Sequence, residues 1–302
     1  MDKGRREEMK KGKWKLVSVV AVLILAGLYY YIALPAINIH ATEIWMFMLI
    51  VVVLIGAVYL AKKKPTKFEM KRLLGFKIIA GILILLIAIY LIGSLLSSPI
   101  INAKKYQKLL NVETGKFTTD VEELSFDQIP LLDKDSATIL GNRKMGSMVD
   151  MVSQFEADDI YSQINYKDNP VRVTPLRYAS IIKWFTNRSE GIPAYIRINM
   201  ANQNTELVKL DKGMKYVNSE YFNRNIYRHL RFAHPTYIYG DLSFEIDDDG
   251  VPYWIAPVKK YNIGLFGGET IGKVVICNAI TGETTTYKTT DVPEWVDRVY
   301  SA

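Results

Sequence analysis

Three long apolar runs dominate the first hundred residues. Leu16 to Leu34, Ile44 to Ala61 and Ile78 to Leu96 hold 19, 18 and 19 residues without a charged side chain. Crossing about 30 Å of hydrocarbon takes roughly 20 helical residues. A helix also satisfies its own backbone hydrogen bonds, which lipid requires. The pattern therefore predicts a membrane region over 16–97 with three helices, 16–34, 44–61 and 78–96. No A-x-A cleavage site follows the first run and two more runs come after it, so it reads as an uncleaved anchor.

Beyond residue 97 the pattern shortens to strand-like and helix-like pieces. Ile101 to Leu110 predicts a helical stalk within a connecting region, 98–160, in which 111–135 reads as irregular and Met145–Phe155 as a short helix. Tyr161–Tyr166 and Val171–Thr174 read as two strands around the turn Lys167-Asp168-Asn169-Pro170. Thr174-Pro175 has the form of a helix start, predicting a helix to about Asn187 with Tyr178, Ile181, Ile182 and Phe185 inward. Ala194–Met200 alternates and Thr205–Leu210 returns as its hairpin partner. A second cycle follows. A helix capped by Asn218 or Ser219 carries Phe222, Ile226, Leu230 and Ala233 on one face and ends at Pro235. Strands are predicted at Tyr237–Ile246, Pro252–Val258, Lys273–Ala279 and Glu283–Thr289. Asp291-Val-Pro-Glu294 has the capping-box form and predicts a short terminal helix. The two cycles share a signature 59 residues apart, Gly191-Ile-Pro-Ala-Tyr-Ile196 and Gly250-Val-Pro-Tyr-Trp-Ile255. The expected fold class is a three-span helical membrane region followed by tandem helix-on-antiparallel-sheet modules, 161–215 and 216–302, with a common strand order.

Charge changes the picture by giving the spans a direction. The formal net charge is +7, yet residues 1–97 carry +9 and residues 98–302 carry −2. Seven cations precede the first span within the basic segment 1–15. Seven more lie between the second and third spans, among them Lys62, Lys63, Lys64 and Lys67. The connection Pro35 to Glu43 has none. The positive-inside rule then predicts a multi-pass plasma-membrane protein with a cytoplasmic N-terminus and an extracytoplasmic region after residue 97. A nucleic-acid-binding role is disfavoured, because that basic footprint would lie on the folded domain. No Asp, Glu, Lys, Arg or His lies inside a span, which argues against a transporter.

Candidate chemistry is sparse. Cys277, the single cysteine, lies in a strand pattern and reads as a small core residue. Glu245, Asp247 and Asp249 before Gly250 resemble half a calcium loop, but Ala256 occupies the position that needs a bidentate glutamate. His229 and His234 lack the spacing and companion ligands of a zinc site. Gly264-Leu-Phe-Gly-Gly268 sits between strands, as a hairpin loop and not a phosphate loop. No catalytic residue, cofactor or metal is indicated, and the chain reads as a non-enzyme. The dense aromatics of the second module are the candidate partner-binding residues: Tyr253, Trp254, Tyr261 and Phe266.

The segment Ile276-Cys-Asn-Ala-Ile-Thr-Gly-Glu283, preceded by Asp249-Gly250 and Tyr253-Trp-Ile-Ala-Pro257, resembles the hairpin of PepSY-type domains, whose second strand ends in D-x-x-T-G-E. Asn278 stands where that pattern has Asp. The whole chain resembles a group of uncharacterised membrane proteins of Gram-positive bacteria with a PepSY-like extracytoplasmic domain. Some of these continue past the D-V-P-E-W-V-D segment, which implies that a further domain is missing here. The resemblance implies a binding or inhibitory module of the cell envelope. Together these features predict an envelope protein in the lipid bilayer that binds a protein or peptide partner. The alternative is an accessory subunit of a secretion or transfer complex assembled through its transmembrane helices.

Overall fold

The computed structural model describes residues 2–61, 70–109, 112–121, 123–125 and 128–300. The chain forms two compact units: residues 1–109 with the tip Tyr261–Glu269, and residues 110–260 with 270–302.

In the first unit the apolar runs form α1 (Asp2–Ala33), α2 (Thr42–Ala61) and α3 (Met70–Leu96). Leu16–Ala33, Thr42–Tyr59 and Leu74–Leu96 are long and apolar enough to cross a membrane. Their exteriors carry side chains such as Leu23 and Ile84, apolar surface that a bilayer accommodates and water does not. Lys62, Lys63, Lys64 and Lys67 of the basic connection lie outside the described residues. Pro35 ends α1, because the residue before a proline is excluded from helical geometry; Leu34 turns to φ 51°. In the short connection Trp45 Nε1 donates to Ile39 O at 2.9 Å. The expected stalk is α4 (Pro99–Gln107), which starts on a proline, where a missing N–H is harmless, and kinks at Asn102.

The second unit begins with α5 (Phe117–Asp120) and α6 (Lys134–Gly146). The segment expected to be irregular to 135 and helical from Met145 instead turns helical with α6 at Lys134, 11 residues before Met145. Asp133 starts it, its side chain accepting from Ser136 N at 2.7 Å. The strands of the first sheet are β1 (Phe155–Ala157), β2 (Ser162–Tyr166), β3 (Asn169–Tyr178), β4 (Ile192–Asn199) and β5 (Thr205–Met214). Their order is β1-β3-β4-β5, with β2 also on β3 and every pairing antiparallel. The second sheet is β6 (Ser243–Ile246), β7 (Pro252–Ile263), β8 (Gly267–Asn278) and β9 (Thr284–Lys288), in that order. Two short helices, α7 (Ile181–Asn187) and α8 (Ile226–Ala233), precede β4 and β6.

Four expectations are corrected. The chain does not turn helical at Pro175. β3 runs on to Tyr178 because both its edges find partners, β1 (Phe155↔Tyr178) and β4 (Pro175↔Tyr195). The helix waits for Ser180, whose side chain accepts from Lys183 N. Likewise α8 is capped by Asn225, not by Asn218 or Ser219, and Phe222–Arg224 forms a separate 3-10 turn. Within Tyr237–Ile246 only Ser243–Ile246 is strand, with a single bridge from Tyr239 to Val258. The Asp291–Glu294 helix does not form. Amides that a helix would have used are taken by Glu245, which accepts from Asp297 N at 2.9 Å and Arg298 N at 3.2 Å.

One buried cluster joins the two sheets. Leu176, Ile192, Tyr195, Ile196 and Met214 of the first meet Phe244, Ile246, Trp254, Ala256 and Cys277 of the second. β7 is buried on both faces. Trp254 and Ala256 enter that shared core, while Ile255 lies with Val274 and Ile276 beneath Val296 of the terminal segment. This explains why β7 reads as a continuous apolar run and not as an alternating one.

Candidate partner-binding surface

The four aromatics singled out in the sequence do not come together. Trp254 is 0% exposed. Its indole Nε1 donates to Tyr216 O at 2.8 Å and its ring meets Phe244 edge-on at 5.4 Å, so it is a core residue. Tyr253 is half-buried on the other face of the strand, 5.0 Å from the Trp295 ring. Tyr261 and Phe266 belong to the first unit. Tyr261 stacks on His40 at 5.8 Å, and Phe266 fits between Trp45 (6.2 Å) and Tyr90 (5.2 Å). The tip packs closely on α3 at Gly93, where a Cβ would lie 2.7 Å from Leu265 Cδ1. Backbone groups are satisfied at the same place. Phe266 N donates to Ser97 Oγ at 3.1 Å, Gly268 N donates to Tyr106 Oη at 3.1 Å, and His40 Nδ1 lies 2.7 Å from Leu265 O. Burial, then Glu269 and Glu43, push the Tyr261 hydroxyl up to about 12. These two aromatics pack the tip against residues of the helical unit.

The histidines and acids have local tasks. His229 Nε2 lies 2.7 Å from Gly282 O, whereas His234 stacks flat on Tyr237 at 4.8 Å. Asp247 Oδ1 accepts from Asp249 N and Val251 N, closing the turn before β7. Cys277 is buried and its thiol is pushed up to about 12 by burial, which keeps it an unreactive thiol.

A different surface stands out. α7 has seven residues, too few for an inward stripe, and only Trp184 turns into the core. Ile181, Ile182 and Phe185, expected inward, are 60%, 69% and 64% exposed. Beneath them lies a polar anchor. Glu220 is buried and accepts from Tyr178 Oη at 2.9 Å and Trp184 Nε1 at 2.7 Å. Burial and then this carboxylate push the Tyr178 hydroxyl far above its ordinary value. The anchor fixes the Trp184 ring, and Tyr221 (4.7 Å) and Phe222 (6.1 Å) gather around it. Phe222 is 63% exposed and has φ 52°, a left-handed conformation rare for a bulky residue. Such strain persists only where the surroundings impose it.

Cations frame this apolar patch. The Arg188 guanidinium sits over the Trp184 and Phe185 rings at 5.1 and 4.9 Å. Arg224 Nη1 donates to Arg188 O at 2.7 Å, and Arg228 Nη1 donates to Phe222 O at 2.7 Å. Glu220, the buried acid that anchors Trp184, accepts from two donors of its own. The surface is thus apolar at the centre and basic at the rim, suited to an amphipathic acidic segment. Sequence periodicity missed it by assigning Ile181, Ile182 and Phe185 to the core. The available signal was a helix bounded by Ser180 and Arg188, too short to bury four large residues on one side.

No protein-family model, no curated protein and no solved structure matches this chain.

Proposed function

We propose that the chain is a non-enzymatic, membrane-anchored envelope protein that binds a protein partner through the α7 face. The exposed cluster of Ile181, Ile182, Phe185 and Phe222 carries this reading. Soluble surfaces seldom gather large apolar side chains unless something docks on them. The basic rim favours a partner segment bearing acidic side chains. The charge pattern of the spans supports a cytoplasmic N-terminus and an extracytoplasmic second unit. Tethering to a membrane raises the effective concentration of a membrane-bound partner, so a modest patch is sufficient.

The test is a photo-crosslinking amino acid placed at Ile182 or Phe185 of the full-length chain in intact cells, with Lys212 as an exposed control. The expected result is a discrete protein adduct at the first two positions and none at Lys212. Adducts to lipid alone, or identical yields at all three positions, would overturn the reading. A reporter fused after Ala302 tests the orientation, and a cytoplasmic signal would refute it.

A further inference from the structure

Away from α7, a groove of about 740 Å³ runs beside β2. Its walls include Gln163, Ile164 and Asn165 of β2, Arg172 of β3, and Arg298 and Tyr300 of the terminal segment. Arg172 is half-buried, and its Nε donates to Leu132 O at 3.1 Å. Among the described residues, neither Arg172 nor Arg298 has a carboxylate within salt-bridge distance. Burial, joined by the charge of Arg298, lowers the Arg172 guanidinium from its ordinary value, and Asp133 opposes this. Two like charges therefore share one cavity.

The acids on the wall do not neutralise them. Asp297 Oδ2 accepts from Asn165 N at 2.6 Å, capping an amide of β2, and burial raises its carboxyl. Among the described residues no arginine lies within salt-bridge distance of Asp297, so Asp297 is not their ion-pair partner. Asp168 stands exposed in the β2–β3 turn. The position of Arg298 is fixed from below. Glu245 has no exposed surface, accepts from Ser243 Oγ at 2.8 Å, and takes the backbone amides of both Asp297 and Arg298. A carboxylate buried in β6 thus holds the backbone that presents Arg298 to the groove.

We propose that this groove is a binding site for an oxyanion group, carboxylate or phosphate, held between the guanidiniums of Arg172 and Arg298. Guanidinium presents forked N–H donors matched to two oxygens of one anion. A negatively charged ligand relieves the repulsion between the two guanidiniums and adds to the attraction that Asp133 already exerts on Arg172. The side-chain amides of Gln163 and Asn165 supply lateral hydrogen bonds. The site is independent of the α7 surface, so either can fail without the other.

The full-length protein in detergent micelles is titrated calorimetrically at low ionic strength with inorganic phosphate and, separately, with succinate. Saturable binding of at least one is expected. Phosphate binding tighter than succinate assigns a phosphate-bearing ligand, and the reverse assigns a carboxylate. R172Q and R298Q are each expected to weaken binding about tenfold or more. R172K and R298K should fall between these variants and the wild type, keeping the charge but losing the fork. R143Q, an exposed arginine on α6, should bind like the wild type. Thermal melting of every variant verifies folding, and the lysine variants carry the test if the glutamine variants unfold. Absence of saturation by either anion up to about 10 mM, or equal binding by the Arg172, Arg298 and Arg143 variants, would overturn the proposal.

Discussion

The strands β4 and β7 begin alike and are used differently. Each follows a glycine at φ 81°, Gly191 and Gly250, and each has proline as an early residue. β4 is the third strand on its sheet's path and follows α7, while β7 is the second on its path and follows a tight turn. Both strands lie between the strand before and the strand after them, β4 between β3 and β5 and β7 between β6 and β8, so the local strand order is shared and the placement of the helix is not. The two places also touch: Tyr195 Oη, in the first signature, donates to Gly250 O of the second at 3.0 Å. Similar local sequences here build two faces of one core.

The largest test of that shared core is truncation. Trp254→Ala in the second sheet should cost roughly 3–5 kcal/mol, and Ile196→Ala in the first roughly 2–5 kcal/mol. Because both side chains enter one buried cluster, hydrogen exchange should show β3–β5 and β7–β8 losing protection together in either variant. Independent loss would split the core in two.

The glycines sharpen the comparison further. A Cβ at Gly191 would lie 2.5 Å from Met214 O, a backbone atom that cannot move aside, whereas at Gly250 the nearest neighbour is the Tyr195 hydroxyl at 3.1 Å. Gly250→Ala should cost about 1–2 kcal/mol for the left-handed conformation. Gly191→Ala should cost about 3 kcal/mol, since an overpacking clash is added. Equal melting temperatures for the two variants would contradict the difference.

A pH effect belongs to the second sheet. Burial raises the Glu245 carboxyl to about 6, outweighing the hydrogen bonds that favour its charge. In the window from its ordinary value of 4.5 to about 6, the unfolded chain ionises while the folded protein keeps the proton. Stability from this group is then lost as pH rises through the window, by up to about 2 kcal/mol. His234, lowered by burial, acts with the opposite sign as pH falls below 6.5. Its contribution remains in E245Q, so the difference between wild-type and variant stability isolates Glu245. That difference should change between pH 4.5 and 6 in denaturant titrations, and a flat difference would reject the assignment.

The smallest effect separates the two hairpin tips. The β4–β5 tip is satisfied by its own side chains: Asn199 Oδ1 accepts from Ala201 N and Asn202 N, and Asn202 Oδ1 accepts from Asn204 N. The β7–β8 tip draws its partners from Ser97, Tyr106 and His40. Phe266→Ala should speed amide exchange at Phe266 and Gly268 about tenfold, equivalent to about 1.4 kcal/mol. Asn202→Ala should affect only its own loop, and equal effects at both tips would erase the distinction.

The sequence by itself determined the spans, because an uncharged run of that length has few alternatives to lipid. It also determined the hairpins of the second sheet, where Asp248-Asp249-Gly250 and Thr281-Gly282 lie between strands that do form. Its start signals were ambiguous wherever a distant group competed. Thr174-Pro175 has helix-start chemistry, but β1 and β4 draw it into a sheet. Asp291–Glu294 has a capping box, but Glu245 claims the amides downstream. The face of α7 was misassigned because Glu220, 36 residues from Trp184, fixes that indole inward and leaves Ile181, Ile182 and Phe185 outside. Periodicity counts apolar positions, whereas only the tertiary structure decides which have a neighbour to bury them. Local sequence sets the conformations a segment can adopt, and long-range hydrogen-bond partners and packing select among them.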